Sequence, residues 1–397
     1  MNKLNENTNI PQESYPKFFL RFLRFGFLAW GGPVSQIAMI RQELVEDEKW
    51  ISSEKFNRVL AVYQALPGPE AHELCVYFGM IARGRIGALL AGLGFMLPGF
   101  LLMFALSWFY VTYGINSPIF QSVFLGMQPA VAALIVRAVH RIGGHALHKN
   151  KWLWSLAILA GIAQLLDVNF LITLLICGFI FTLTTRGQTR FAFLFLVVSV
   201  FSLIYFNFNQ FSNSQPSPNT QILETNSLIL FFSGLRAGLL TFGGAYTAIP
   251  FIQHDAVEIG KWMTNAQFLD GLALSGLLPA PLIIFSTFVG YIGGGALGAI
   301  AMTIGVFAPA FSFTMIGHES LEKLIENKSA HAFLDGITAG VVGLISATAI
   351  GIIIETITSI PALIIFSLAL ITLFISKSKW TVAWVVLGAG LIGLLLK

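Results

Sequence analysis

The chain has 397 residues, 56% of them hydrophobic and 11% charged, with 36 phenylalanines and a formal net charge of +4. Soluble globular domains do not have this balance, and it describes a polytopic membrane protein whose solvent is the lipid bilayer. It excludes a nucleic-acid binder, which needs a clustered basic surface where this chain scatters its basic residues between apolar stretches.

The first 17 residues are polar and include Pro11, so no cleavable signal is predicted and the first apolar stretch serves as the insertion signal. Apolar runs between polar turns predict thirteen membrane segments, at 18–40, 56–81, 86–111, 118–139, 152–166, 170–185, 191–207, 226–250, 268–292, 296–317, 333–354, 361–376 and 381–396. A helix needs about 20 apolar residues to cross the hydrocarbon core. Runs such as 152–166 fall short of that, and runs interrupted by Gly and Pro are either broken crossings or re-entrant hairpins. The loop 207–226 has Ser, Asn, Gln and Pro but no basic residue, and reads as a flexible external linker. Cytoplasmic loops carry an excess of Lys and Arg. With the N-terminus on the cytoplasmic face of the plasma membrane, fourteen loop residues fall inside, Lys261 among them, and four, Arg41, Lys49, Lys55 and Lys397, fall outside.

Gly31-Gly32-Pro33 interrupts the first segment and Leu66-Pro67-Gly68-Pro69 the second. Both patterns return 212 residues later, as Gly243-Gly244 and Leu278-Pro279-Ala280-Pro281. Proline removes a backbone donor and clashes with the preceding turn. The opened main chain is tolerated in a bilayer only inside protein or beside a wet cavity. At the same offset Arg24, Gly26, Glu46, Lys49, Trp50 and Phe56 meet Arg236, Gly238, Glu258, Lys261, Trp262 and Phe268. Seven segments precede the second copy, and an odd number inserts it upside down, which is the inverted-repeat plan of secondary transporters. The predicted fold is thus an all-α polytopic membrane protein with a polar tail at 1–17, a first repeat at 18–190, a linking span and external loop at 191–225, and a second repeat at 226–397.

Each break starts a new half-helix, at Pro33 or Pro69 in the first copy and at about Ala245 or Pro281 in the second. Unpaired amides and the positive end of the helix dipole there suit an anion of two charges. Ser35 and Thr247, aligned by the repeat, offer hydroxyl donors. Arg24 and Arg236 each lie seven residues before their Gly-Gly break, and their planar forks suit a tetrahedral oxyanion. Snorkelling to the interface is the plainer account of such arginines, most of all for Arg21 nearby. Candidate substrate residues are Arg24, Gly31, Gly32, Pro33, Ser35, Pro67, Gly68, Pro69, Glu70, Arg236, Gly243, Gly244, Thr247, Pro279 and Pro281. Glu70, His72 and Glu73 follow the Pro-Gly-Pro break and are candidates for proton coupling or, equally, for capping the half-helix. Their counterparts Leu282, Ile284 and Phe285 are apolar, so either role belongs to one half only. Arg58 and Asp270 occupy equivalent positions with opposite charge and are expected at membrane boundaries, while His140, His145 and His148 read as a solvated loop. Cys75 and Cys177 have no metal or disulfide spacing, and with no nucleotide-binding loop no cofactor is expected.

Trp30-Gly31-Gly32-Pro33 with Leu66-Pro67-Gly68-Pro69, and Phe242-Gly243-Gly244-Ala245 with Leu278-Pro279-Ala280-Pro281, resemble the paired motifs of the chromate ion transporter family in its long-chain, two-repeat form. The resemblance covers both repeats and departs from the family pattern at Trp30 and Ala280. It implies export of chromate, which enters by mimicry of sulfate, with a chromate or sulfate-like oxyanion and the bilayer as partners; a homo-oligomer is left open. Two rival functions stand beside it. One is a proton-coupled cation or metal carrier using Glu70, His72 and Glu73; the other is a membrane enzyme on a lipid-linked substrate, for which no nucleophile or metal motif is seen.

Overall fold

The computed structural model describes residues 10–114, 117–148, 150–212, 225–376 and 378–396, and these form helices and no strand. The polar tail before residue 10, residues 213–224 of the predicted external loop, and Lys149, Lys377 and Lys397 lie outside the described residues. In the first half the helices are α1 Tyr15–Phe27, α2 Gly32–Arg41, α3 Ser53–Ala65, α4 Glu70–Phe109, α5 Pro118–Ala146, α6 Lys151–Leu165 and α7 Phe170–Thr185. After α8 Thr189–Ser212 come α9 Ser227–Leu239, α10 Ile249–Gln253, α11 Asn265–Gly276, α12 Phe285–Glu326, α13 Lys328–Thr356, α14 Ile360–Ile375 and α15 Thr381–Leu395. Four helical stretches, Glu70–Gly114, Pro118–Ala146, Leu282–Gly317 and Lys328–Thr356, are long and apolar enough to cross a membrane.

The chain folds back at each break. Past Leu28–Gly31 it returns along α1 through α2 and a π-turn at Gln42–Asp47, so that Trp50 stacks on Phe18 at 6.4 Å and Arg21 bonds Glu48. Ser52 caps α3 by accepting from the Lys55 amide. After the Leu66–Pro69 break, Phe78 and Tyr77 of α4 come back beside Phe56 and Tyr63 of α3, with rings 6.4 and 6.2 Å apart. Helix α4 is itself two antiparallel arms, 70–82 and 85–109, because Arg83 and Gly84 leave the helical region and Gly84 takes φ 61°, where only glycine sits at no cost. The arms touch backbone to backbone: a Cβ on Gly79 would come 2.3 Å from the Gly87 carbonyl oxygen. Arg83 at this turn donates to the Glu13 carbonyl, which gathers the start of α1, the 48–52 loop and the α4 turn at one end.

The second half repeats this path. It has a π-turn at His254–Ile259, a kink at Gly294 and Gly295, and Thr287 bonded to Thr303 between the arms of α12 at 2.7 Å. Its half-helices begin as 3₁₀ turns, Ala245–Ala248 and Leu282–Ile284. Pro250 has no amide to give the Tyr246 carbonyl, so that carbonyl takes the Ile249 amide and the α-helix starts only at Ile249. The predicted segments 18–40, 56–81, 226–250 and 268–292 are therefore helical hairpins and not straight helices, because each double-glycine or proline break turns the chain fully around.

The two halves interlock. Helix α5 packs against α14 and α15, and α13 packs against α6 and α7. Small residues let these backbones approach closely. A Cβ on Gly126 would lie 2.3 Å from the Ala389 carbonyl oxygen, and one on Gly343 would lie 2.0 Å from that of Ala157. The arms of α4 and α12 face one another, while α8 has no counterpart in the other half. The first hairpins hold a separate aromatic core of Phe18, Phe22, Phe25, Trp50, Phe56, Tyr63, Tyr77 and Phe78. Exposed Leu, Ile and Phe cover α6, α7, α8, α14 and α15, a surface suited to lipid.

Candidate functional site

The hairpin tips of the two halves meet. The Gly68 amide, at the tip of the α3–α4 hairpin, donates to the Thr241 carbonyl at the tip of the α9–α10 hairpin, at 2.8 Å. On the other side Trp30, Gly31, Gly32 and Pro33 share a cavity of about 90 Å³ with Leu278, Ala280 and Leu282. That is room for a few waters, the scale of a small inorganic anion. The cavity adjoins a wider one of about 460 Å³ through the shared residues Pro33 and Arg141. Gln64, Glu70, His145, His148, Gly243, His331, Asp335 and Thr338 line the wider space.

Three cations face the smaller cavity: Arg137 and Arg141 from α5, and Lys379 ahead of α15. Arg137 and Arg141 are four residues apart and so share one helix face. Among the described residues none of the three has an ion pair; Arg141 rests over the Tyr246 ring at 5.7 Å and Lys379 over that of Trp380 at 5.9 Å. Sequence reasoning missed them. Nothing in the repeat singles them out, and the four-residue spacing of Arg137 and Arg141 was the one available signal. His145 and His148, expected in a solvated loop, line the wider cavity.

Arg24 and Arg236 sit elsewhere. Arg24 is paired with Glu43 and Arg236 with Asp255, each carboxylate standing on the π-turn of its own half, and neither arginine lines the cavities at the breaks. Glu43 and Asp255 are themselves 212 residues apart, a repeated ion pair that the sequence contained. Asp255 also accepts from Ser233 at 2.7 Å. Arg21, expected to snorkel, is instead the centre of a network: it bonds Glu13 through both oxygens at 2.7 and 3.2 Å, Glu48 at 2.5 Å and Glu43 at 3.4 Å.

Of the remaining candidates, Gly31, Gly32 and Pro33 line the smaller cavity, and Pro33, Glu70 and Gly243 the wider one. Pro67, Gly68, Pro69, Gly244, Pro279 and Pro281 are buried behind the tips. The Ser35 hydroxyl stands against Gly31, and the buried Thr247 hydroxyl donates to the Gly244 carbonyl at 2.8 Å, so its proton is used within the break. Neither Glu70 nor Glu73 caps α4, whose N-cap is Pro69 without a side-chain bond. His72 is enclosed by the rings of Phe307 and Phe311, each 4.9 Å away. Asp270, expected at a membrane boundary like Arg58, is 6% exposed and accepts from Tyr110 at 2.7 Å and Gln128 at 3.0 Å. The reason is that α11 docks against α5 and the end of α4; Arg58 does stay exposed, beside Glu54 at 3.3 Å.

A family model described as chromate transporter matches residues 16–183 and again 228–394. The chain is 53% identical over 393 residues to the chromate transport protein of Pseudomonas aeruginosa, covering 96% of this chain and 92% of that one. It is 28% identical to the chromate transport protein of Cupriavidus metallidurans over 97% of this chain and 94% of that one. An uncharacterized transporter of Bacillus subtilis is 33% identical over 150 residues, which is 37% of this chain and 76% of the relative, in keeping with a unit of about half this length. No solved structure matches the chain. With both halves matched by one family model and a near full-length relative above half identity, the chain belongs to the chromate transporter family.

Proposed function

We propose that this chain exports chromate across the cell membrane as a secondary transporter, with Arg137, Arg141 and Lys379 holding the anion beside the Gly31-Gly32-Pro33 break. The observation that carries this is a set of three cations, without ion pairs among the described residues, converging on one small cavity at the hairpin tips. Arginine forks match the edges of a tetrahedral oxyanion. The named chromate transport proteins among the relatives supply the substrate. A cation or metal carrier is disfavoured, because the permanent cations Arg137, Arg141 and Lys379 outnumber the carboxylates Glu70 and Asp335 on the two cavities.

In this scheme the hairpins α1–α2, α3–α4, α9–α10 and α11–α12 are re-entrant, with their tips near mid-membrane. The second arms of α4 and α12 cross together with α5, α6, α7, α8, α13, α14 and α15, nine crossings in all. Five of them precede the second half, so in this scheme the repeats are inverted. Lys49 and Lys55 then join Arg83 and Arg85 in the cytoplasm, and of the loop cations only Lys261 and Lys397 stay outside, a stronger inside bias than thirteen crossings give. The wider cavity, lined near the cytoplasmic ends of α5 and α13, faces inward. An inside-negative potential drives a dianion outward with about 4.6 kcal/mol per 100 mV.

The test is chromate flux in proteoliposomes under an imposed potential, normalised to inserted protein. Arg137→Gln and Arg141→Gln are each expected to lower the flux at least tenfold. Flux at the parent rate in both variants overturns the site, and no chromate flux in the wild type overturns the function.

A further inference from the structure

Glu73 lies on the first arm of α4, one turn beyond Glu70, and is fully buried. Its carboxyl sits against the break: a Cβ on Gly68 would come 2.7 Å from Glu73 Oε1. Neither carboxyl oxygen has a hydrogen-bond partner among the described residues. Such a group is costly to keep ionised, since the carboxylate gives up its hydration and gains no partner. Capping does not explain it, nor does the repeat, whose other copy has Phe285 at the aligned position.

The titratable and charged groups around it are few. Its own helix brings Glu70, which lines the wider cavity, and His72, held between Phe307 and Phe311 of α12. Helix α3 brings Tyr63, whose hydroxyl accepts from Thr314 of α12 at 3.1 Å. Helix α5 brings Arg141 and His145 on the cavity that Glu70 lines, and the opposite tip brings only the backbone of Thr241. Glu70 therefore stands between a buried carboxyl and the wider cavity, which Arg141 of the anion site also lines.

Resting on the chromate reading above, we propose that Glu73 exchanges a proton with the cavity by way of Glu70, and that the anion binds together with that proton. The step is proton transfer alone. The O–H bond of the Glu73 acid breaks, its electron pair stays on the carboxylate oxygen, and the proton passes through a water or the Glu70 carboxylate to the cavity. With Glu73 neutral, a dianion at Arg137 and Arg141 meets no charge from the Gly68 break beyond that of Glu70 on the adjoining cavity. With Glu73 ionised, it meets a like charge in a low-dielectric setting. The two binding events are linked and the linkage is reciprocal: as pH rises Glu73 loses its proton and anion affinity falls.

Chromate affinity is measured on the purified full-length protein from pH 6 to pH 9, for the wild type and for Glu73→Gln, which is neutral throughout. Protonation of chromate itself acts equally on both, so the difference between the two profiles reports Glu73. The wild type is expected to lose at least tenfold more affinity over this range than the variant; superimposable profiles overturn the proposal. A second measurement needs no variant: in weakly buffered alkaline solution, where chromate is the dianion, binding to the wild type should take up protons, and binding with no proton uptake overturns the proposal. Absence of chromate binding by the wild type overturns the functional reading itself and this inference with it, whereas binding without a proton link overturns this inference alone.

Discussion

At the scale of single residues, the arginines of the first half divide by what they face. Arg21 holds three carboxylates, and its guanidinium also lies over the Trp50 ring at 5.7 Å, tying the N-terminal segment to the far end of the first hairpin. Lysine keeps the charge but loses the fork that bonds both oxygens of Glu13. Arg21→Lys should therefore cost about 1–2 kcal/mol in stability, read as a lower unfolding midpoint in detergent, with flux per folded molecule unchanged. The Arg21 guanidinium also holds the Glu13 carboxyl below its usual range. A depressed carboxyl contributes stability that is present above the unfolded value and lost as pH falls through the folded one. Acid should destabilise the wild type more than Arg21→Lys below about pH 4.5; equal acid sensitivity would remove Arg21 from this role.

At the scale of elements, the break at 66–69 is more tightly specified than the 243–244 break, whose tip it meets. Gly68 has φ 152° and no room, because its missing side chain would strike the Glu73 carboxyl. Gly244 has φ 118° but open space beyond it, so a side chain there meets backbone strain without a clash. Backbone strain of this kind costs about 1–3 kcal/mol. Gly68→Ala is expected to lower chromate flux at least tenfold, and Gly244→Ala distinctly less, both normalised to inserted protein. The reverse order would mean that the Gly68 tip is not the constrained one.

At the scale of the whole molecule, folding both early segments of each half into hairpins moves loops across the membrane relative to a count of thirteen crossings. Lys49 and Lys261 are equivalent, both exposed, and both left-handed at φ 56° and 51°. Nine crossings put Lys49 inside and Lys261 outside; thirteen put them the other way round. Single cysteines at Lys49 and Lys261, in a background without Cys75 and Cys177, should be labelled from the cytoplasm and from outside respectively. Labelling in the opposite sense would restore the thirteen-segment scheme.

Composition with long continuous apolar runs made this a helical membrane protein, because a helix satisfies its backbone in lipid within its own segment, whereas barrel strands alternate apolar and polar residues. The repeat and its breaks were equally plain, since Gly-Gly and Pro-x-Pro at a fixed offset are local chemistry that needs no partner to be seen. Which way the chain goes after a break was not, because the same dipeptides make a kink or a full reversal depending on what packs beside them. Here Phe18 on Trp50 and Phe56 on Phe78 make it a reversal. Nor could charge type reveal which cations are free. Arg24 and Arg236 looked like the anion site from their symmetry, but Glu43 and Asp255 occupy them. Arg137, Arg141 and Lys379 face the cavity instead, because α5 and the start of α15 pack together across the two halves, a contact between residues more than 200 positions apart in sequence.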